Sequence, residues 1–308
     1  MSKEKIIFDL DVGVDDAMAL VMSFYHPEID LKLITTVFGN VGLKQATKNT
    51  CFIVENYAPK DYPIYRGAEC ALNNTTQNAM DVHGKAGLGG IIIAKNVKKK
   101  ISNKKNYGAL EAMRDMILKY PNEMNIVCVG PTTNVAMLLT KYPEIKDKIK
   151  RIFIMAGSMD GKGSITPYSS FNAYCDPEAV DIVIKSGVPL TVTTKELGTG
   201  AYFEQEQRER FRDAGRVGPL FYDLCYGYKD SILKEGQYAI HDTGTLFSLL
   251  KTDLFTREKV DMSINTTQDL KRGQTKFKKN SKSHITLITT LPDKYKLFKL
   301  MEYVLSLS

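Results

Sequence analysis

The chain has 308 residues, of which 43% are hydrophobic and 25% charged, and its formal net charge is +7. This length is enough for a large core, and the lack of repeats and low-complexity tracts excludes a repeat architecture in favour of a soluble globular protein. The five cysteines are scattered without a CxxC pair, the apolar runs are strand-sized, and the N-terminus has no apolar signal segment. We therefore expect a cytoplasmic protein with free thiols and no membrane association.

Strand-like and helix-like segments alternate from the start of the chain. The first, KIIFDLDV, is a continuous apolar run typical of a strand buried on both faces, and an amphipathic helix follows and ends at Pro27. Further strands are predicted at LKLITTVF, YPIYRG, MNIVCVG, RIFIMAG and PLTVTT, with helices at LKQATKNTCFIVENYA, 109–120, TTNVAMLL and DPEAVDIVIKSG. Residues 67–90 are predicted to be rich in loops and 203–250 mostly helical. Two antiparallel strands, 259–266 and 284–290, precede a closing helix, DKYKLFKLMEYVLSL.

This alternation predicts an α/β fold in a single domain over residues 1–308, with a Rossmann-like, mainly parallel sheet and helices on both faces. No Pro/Gly/Ser-rich linker divides the chain. In such sheets ligands bind outside the carboxyl ends of the strands, so the residues that follow each strand are the candidates for function.

Four aspartates, Asp9, Asp11, Asp15 and Asp16, lie within the eight positions 9–16, where the first predicted strand ends and the first helix begins. Capping of the next helix accounts for one aspartate but not for four. Because like charges at this spacing repel, a cation is the simplest way to hold them together. Carboxylate oxygens without a nearby Cys or His favour a hard cation, Ca²⁺ or Mg²⁺, over Zn²⁺.

Three other segments carry residues that could take part in catalysis or in ligand binding. His241 and Asp242 precede an apolar helix, where the alternatives are a catalytic pair or a buried imidazole beside a helix N-cap. Asn172 is predicted to lie in a loop before Asp176-Pro177, a structural helix start. His83 lies in a Gly-rich loop, 81–90, whose glycines do not form a Rossmann or Walker phosphate motif.

Together these segments resemble the nucleoside hydrolase family, the inosine–uridine-preferring enzymes that cleave the N-glycosidic bond of ribonucleosides. The family signature DxDPGxDD reads DLDVGVDD here, over residues 9–16. The other matching segments, in the family's order, are TTVFGN, HGKAGLGG, GPTTNVAMLL, IFIMAGS, FNAYCDPEAV and HDTGTLF. The resemblance therefore implies the nucleoside hydrolase fold and a hydrolase that releases ribose and the free base.

The resemblance also implies a role for each matching residue. The implied Ca²⁺ ligands are Asp11, Asp16, Asp242 and the backbone carbonyl of Thr133. Asp11 would in addition act as general base on a calcium-bound water, His241 would protonate the departing base, and Asp9 would orient the ligands from behind. The residues implied to contact the nucleoside are Asp15, Asn40, His83, Met155, Ser170, Phe171 and Asn172. Relatives form dimers or tetramers, which implies a homo-oligomer here.

Two departures from the family bear on specificity. The chain has no Trp, which disfavours the purine-specific branch, and the presence of His241 implies the broad or pyrimidine-preferring branch instead. Ser170 stands where relatives carry a glutamate on the 5′ side of the sugar. This change leaves two alternatives open, a weakly catalytic nucleoside-binding protein and an enzyme for 5′-substituted nucleosides. Candidate aromatic partners for the base are Phe221, Tyr222, Tyr226 and Tyr228.

Two further alternatives rest on single features. IIFDLDVGVDD also resembles the opening motif of Mg²⁺-dependent haloacid-dehalogenase-like phosphatases, with Asp9 as nucleophile, but that motif leaves His241 and Asp242 without a role. The lysine-rich segments 95–105 and 271–282 allow binding of nucleic acid, yet neither carries stacking aromatics at a useful spacing. We expect them to be solvated loops or edge strands instead, and we expect no nucleic-acid partner.

Overall fold

The structure is a computed structural model that describes residues 3–93, 97–228, 233–250 and 253–308. Its strands are β1 (Glu4–Leu10), β2 (Ile29–Thr36), β3 (Ile64–Arg66), β4 (Met124–Cys128), β5 (Ile149–Met155), β6 (Leu190–Thr193), β7 (Thr256–Ile264), β8 (Thr275–Lys279) and β9 (Ile285–Thr290). Within the described residues they form one nine-stranded sheet, in the order β3-β2-β1-β4-β5-β6-β9-β7-β8. Only β7 runs against the others, which confirms the predicted mainly parallel sheet.

Helices cover both faces of this sheet. They are α1 (Val14–Tyr25), α2 (Leu43–Tyr57), α3 (Met80–His83), α4 (Ala109–Lys119), α5 (Thr133–Lys141), α6 (Phe171–Cys175), α7 (Pro177–Lys185), α8 (Lys195–Gly200), α9 (Gln205–Arg212), α10 (Gly218–Tyr226), α11 (His241–Phe247) and α12 (Lys294–Ser306). A 3₁₀ helix spans Pro143–Lys148.

The hydrophobic pattern of β1 explains why both faces are covered. Phe8 and Leu10 point into one core with side chains of α1 and α10 to α12, whereas Ile7 points into a second core with side chains of α4, α5 and α7. Side chains alternate along a strand, so a continuous apolar run can supply two cores at once. The α/β fold class expected from the sequence is therefore confirmed.

The sheet has its topological switch point between β1 and β4. From β1 the chain proceeds outward to β2 and β3, and then returns to β4 and continues outward on the other side through β5 and β6. A crevice opens at such a point beyond the carboxyl ends of the two central strands. Asp11 and Gly130 follow those ends, so the acidic segment of the sequence lies at the switch point.

Some local predictions need correction. Asn172 lies in the first turn of the short helix α6 and not in a loop, and the loop-rich stretch contains the single turn α3. Helix α11 begins at His241 with Ile240 as its N-cap, so Asp242 is not the N-cap. Each of these helices has seven residues or fewer, which is too short for the periodicity of its side chains to be recognised.

The second lysine-rich segment forms an edge of the sheet. Residues 275–279 of the second segment form β8, the last strand at one edge, as expected for lysines that discourage pairing between sheets. Residues 95 and 96 of the first segment lie outside the described residues. No helix in the described ranges is long and apolar enough to span a bilayer.

His26, at the C-terminal end of α1, is expected to make the protein less stable in acid. His26 is buried, its Nδ1 accepts from the N–H of Glu28 at 3.2 Å, and burial lowers its pKa from 6.5 to about 4. The folded state therefore binds fewer protons than the unfolded state between these values, so this stabilising contribution is complete above pH 6.5 and is lost as the pH falls towards 4.

We expect His26→Asn to remove this contribution while keeping an acceptor for Glu28. Between pH 7 and pH 4.5, wild type should lose about 1–3 kcal/mol more unfolding free energy than the variant does. Urea denaturation of both proteins at a series of pH values measures this difference, because all other titrating groups are shared. Parallel stability curves would contradict the prediction.

Candidate active site

A cluster of buried carboxylates lies at the switch point. Asp15 and Asp16 occupy the first turn of α1, and Asp242 occupies the first turn of α11. These three buried side chains can each place one oxygen within 4.8 Å of the other two, which is a spacing that suits a metal ion. Helix α11 comes more than 200 residues after α1, so the cluster is assembled by tertiary packing of the two helices.

Asp11 adjoins this cluster from the end of β1. Its backbone N–H donates to Asp16 Oδ1 at 3.2 Å, and its own Oδ2 accepts from the N–H of Asn40 at 2.6 Å. The side-chain amide of Asn40 in turn donates to Asp16 Oδ2 at 2.8 Å. Within the described residues Asp11 Oδ1 is buried without a hydrogen-bond partner, as expected of an oxygen that needs a ligand from outside the protein.

Two glycines allow the backbone to approach Asp11 this closely. A Cβ at Gly39 would overlap the Asp11 carboxylate, and a Cβ at Gly130 would lie 2.8 Å from Asp11 Oδ1. Gly39 has a φ of 156°, which glycine adopts without cost. The loops after β2 and β4 thus form a tight cradle around one carboxylate.

The carboxyl groups of this cluster are difficult to ionise together. Burial raises the pKa of Asp11, Asp16 and Asp242. The negative charge of Asp16 raises the pKa of Asp11 further, and the negative charge of Asp15 raises the pKa of Asp242 further. A bound cation would reverse these shifts because it favours the ionised form of every carboxylate around it.

Asp9 lies behind the cluster and joins three elements. Its Oδ1 accepts from Thr35 Oγ1 at 2.6 Å and from Asn134 Nδ2 at 2.7 Å, and the Cys128 thiol donates to its Oδ2 at 3.6 Å. Burial raises the pKa of Asp9 to about 6. This carboxylate is fully buried and occupied by protein donors, so it offers no access to a phosphoryl group. The dehalogenase-like alternative, which requires Asp9 as nucleophile, therefore has no support in the geometry.

A cavity of about 210 Å³ opens above the carboxylates. The expected site residues that line it are Asp15, Asn40, His83, Met155, Ser170, Phe171, Asn172, His241 and Asp242. Asp11, Asp16 and Thr133 are buried beneath this lining. Thr133 begins α5, and its hydroxyl donates to Asp176 Oδ2 at 2.7 Å, so the start of that helix is fixed beside the cluster.

The side chain of Asn172 is oriented by backbone carbonyls. Its amide nitrogen donates to the carbonyl oxygens of Val129 and of Met155, the latter at 3.1 Å. These bonds occupy the donors of the amide and leave Oδ1 to accept from a ligand. Asn172 is therefore an acceptor in the cavity wall rather than a freely rotating side chain.

Only one of the four aromatic candidates for stacking faces the cavity. Tyr228 lines it, with its ring centroid 5.6 Å from that of His83. Phe221 is buried in the core, Tyr222 stacks on Arg208, and Tyr226 is 85% exposed. His83 Nδ1 accepts from the N–H of Val14 at 3.2 Å, which anchors this wall to the start of α1.

The sequence analysis missed several residues of the cavity wall, namely Asn78, Asp81, Ser164 and Lys195. Lys195 comes two residues after the end of β6, and its place at the carboxyl end of a parallel strand was the signal available in the sequence. The other three come from long loops or from the single turn α3, where no periodic pattern indicates which way a side chain points.

The comparisons with known proteins agree with this geometry. The family description "inosine-uridine preferring nucleoside hydrolase" matches residues 6–299. The chain belongs to this family. A relative in Escherichia fergusonii, the non-specific ribonucleoside hydrolase RihC, is 31% identical over 270 residues, which is 88% of this chain and 86% of that protein. RihC of Escherichia coli strain SE11 matches to the same extent. The chain is therefore an N-glycosyl hydrolase of the ribonucleoside type.

Solved nucleoside hydrolases share the whole architecture. The plant nucleoside hydrolase PpNRh1 superposes with a TM-score of 0.88 at 25% identity, over 98% of this chain and 99% of that one. The purine-preferring ribonucleoside hydrolase from Gardnerella vaginalis gives 0.88 at 26% identity, over 98% of both chains. The expected family and enzyme class are thus confirmed.

The packing of His241 against α8 predicts a sensitive glycine in this nucleoside hydrolase. A Cβ at Gly198 would overlap the His241 ring, whereas a Cβ at Gly200 in the same helix would meet nothing within 4 Å. We expect Gly198→Ala to displace the imidazole and to lower kcat for nucleoside hydrolysis about 10- to 100-fold. Gly200→Ala is the matched control and should retain activity. Equal activity of the two variants would show that the ring position is not critical.

Proposed function

We propose that this nucleoside hydrolase uses Ca²⁺ to cleave ribonucleosides into ribose and free base. The observation that carries the proposal is that one cavity joins a cluster of buried carboxylates to His241 and to an aromatic wall. The non-specific substrate range in the names of the curated relatives supports a broad ribonucleoside specificity.

The residues present suit Ca²⁺. The donors are carboxylate oxygens, one of them, Asp11 Oδ1, buried without a hydrogen-bond partner in the part of the chain that is described. Asp11, Asp16, Asp242 and the carbonyl of Thr133 would hold the ion, and Asp15 lies close enough to contribute. When bound, the ion would lower the pKa of a coordinated water and would attract the 2′- and 3′-hydroxyl oxygens of ribose.

Asp11 is the proposed general base. Its Oδ2 is fixed by the N–H of Asn40, and its Oδ1 has two lone pairs, one of which would face the ion while the other would accept a proton from the attacking water. The water oxygen bonds to C1′ as the bond from C1′ to the base breaks. Asp15, Asn40 and Asn172 present polar atoms to the sugar and would hold its hydroxyl groups in register for this attack.

The acidic floor favours the transition state. Cleavage of a glycosidic bond builds positive charge on the sugar ring, and anionic side chains beneath the ring stabilise that charge more than they stabilise the neutral substrate. His241 lines the cavity next to Asp242, and it would donate a proton to the leaving nitrogen. His83 and Tyr228 form a wall on which the base would rest.

The proposal also covers the base specificity, the domain organisation, the assembly and the location of the protein. The absence of tryptophan supports a base wall without a tryptophan clamp, which favours a broad or pyrimidine-preferring enzyme. One sheet through all described strands supports a single domain over residues 1–308. A homodimer or homotetramer and a cytoplasmic location are also predicted.

Chelation tests the metal and separates an enzyme from a nucleoside-binding homologue. We expect wild type to hydrolyse p-nitrophenyl riboside, EGTA to lower the rate at least about 100-fold, and added Ca²⁺ to restore it. Asp16→Asn should bind less Ca²⁺ by mass spectrometry and should lose the increase in Tm that Ca²⁺ gives. Asp147→Asn is the exposed control. Full activity in EGTA would refute the metal role, and Ca²⁺ binding without turnover would favour the binding homologue.

The leaving group tests His241. We expect His241→Ala to lower kcat for inosine and uridine by about 10²- to 10⁴-fold, because these bases need a proton to depart. The same variant should lose less than about 10-fold on p-nitrophenyl riboside, whose leaving group departs as a stable anion. If both kinds of substrate lose activity equally, His241 is not the acid.

A further inference from the structure

One basic residue stands out in a cavity that is otherwise acidic. Among the described residues, Lys195 is the one lysine or arginine in the lining, which also contains Asp15, Asp81 and Asp242. It is only 8% exposed. Lysine is rarely buried to this extent unless its charge is paired, so the position calls for an explanation.

The protein itself provides only loose pairing for Lys195. The nearest carboxylate oxygens are Glu196 Oε1 at 3.6 Å and Asp160 Oδ1 at 3.7 Å, both beyond hydrogen-bond distance. Glu196 Oε1 already accepts from Ser158 Oγ at 2.7 Å and from the N–H of Met159 at 3.1 Å. These two carboxylates therefore reduce the cost of burying the ammonium group without occupying its donors.

An ammonium group in this cavity opposes the proposed chemistry when the substrate is neutral, whereas the charge of the proposed Ca²⁺ is balanced by the carboxylates that would hold it. Positive charge develops on the ribose ring during cleavage, so a nearby ammonium group raises the energy of that state. An anionic group on the substrate, placed between the ammonium and the ring, would remove this penalty. The burial of Lys195 is thus understandable if the substrate carries a negative charge.

The position of Lys195 identifies the part of the substrate that would carry this charge. The backbone of Gly157, after β5, connects the wall that contains Ser170 to the wall that contains Lys195. Its N–H donates to Ser170 Oγ at 2.7 Å, and its carbonyl oxygen accepts from the backbone N–H of Lys195 at 3.2 Å. With the ribose diol on the carboxylates and the base beside His241, the remaining substituent of the ring is the 5′ carbon. The wall left for it contains Ser164, Ser170 and Lys195.

We propose that this wall binds a 5′-phosphate and that the enzyme prefers nucleoside 5′-monophosphates to nucleosides. This proposal rests on the nucleoside hydrolase function above. An ammonium group supplies three donors to phosphate oxygens, and a serine hydroxyl that accepts from Gly157 can still donate its own hydrogen. In the reaction, water adds its oxygen to C1′, the bond to the base breaks with its electrons on the base nitrogen, and that nitrogen takes a proton. The phosphate ester stays intact, and the products are ribose 5-phosphate and the base.

Substrate competition with matched variants tests the proposal. We expect wild type to show kcat/KM at least about 10-fold higher for uridine or inosine 5′-monophosphate than for the free nucleoside. The ratio of monophosphate to nucleoside kcat/KM should fall at least about 10-fold in Lys195→Met and recover partly in Lys195→Arg. Lys185→Met, on an exposed lysine of α7, controls for the loss of one charge. Thermal melting confirms that each variant is folded.

Product inhibition tests the phosphate wall without knowledge of the preferred base. Ribose 5-phosphate should inhibit hydrolysis of p-nitrophenyl riboside at least about 10-fold more strongly than ribose or inorganic phosphate, and Lys195→Met should abolish that advantage. Equal inhibition by inorganic phosphate and ribose 5-phosphate, or a wild-type preference for free nucleosides, overturns the proposal while the hydrolase function stands. Failure to hydrolyse both kinds of substrate refutes the proposed function itself.

Discussion

The crowding of carboxylates at the carboxyl end of β1 is the constraint on which the site depends. Two carboxylates about 4 Å apart repel by roughly 4 kcal/mol at the effective dielectric of a protein. Backbone N–H groups and the amide of Asn40 offset part of this repulsion at Asp11 and Asp16. Since burial removes the solvent that would otherwise screen these charges, the arrangement is best balanced by a cation from outside the chain.

The fold holds this cluster in place through connections that lie behind it. Asp9 ties β1 to Thr35 of β2 and to Asn134 of α5, and Asp176 ties the start of α5 to the start of α7. The bond between Asp9 and Asn134 crosses the switch point, because Asn134 lies in the helix that follows β4. The carboxylates proposed to hold the ion can thus be rigid, although they come from separate parts of the chain.

In the proposed function, the floor of the cavity would carry the reaction, and the side walls would select the substrate. This floor is acidic, and the chain matches both a relative named as non-specific and a solved structure named as purine-preferring. The side walls differ in chemistry, with Tyr228 and His83 on one side and Ser170 and Lys195 on another. Changes in these walls can alter which substrate is accepted without changing how the bond is cleaved.

The sequence by itself determined the layered α/β fold, the acidic cluster and the family, because continuous apolar strands and the DLDVGVDD segment are local patterns with a direct physical meaning. Only the tertiary structure decided that Tyr228 faces the cavity, that Asn172 is held by Val129 and Met155, and that Lys195 lies in an acidic pocket. These facts depend on which distant loops meet above the sheet. The spacing of residues along the chain does not predict which loops come together. The direction of a loop side chain follows from packing between elements and not from a local periodicity.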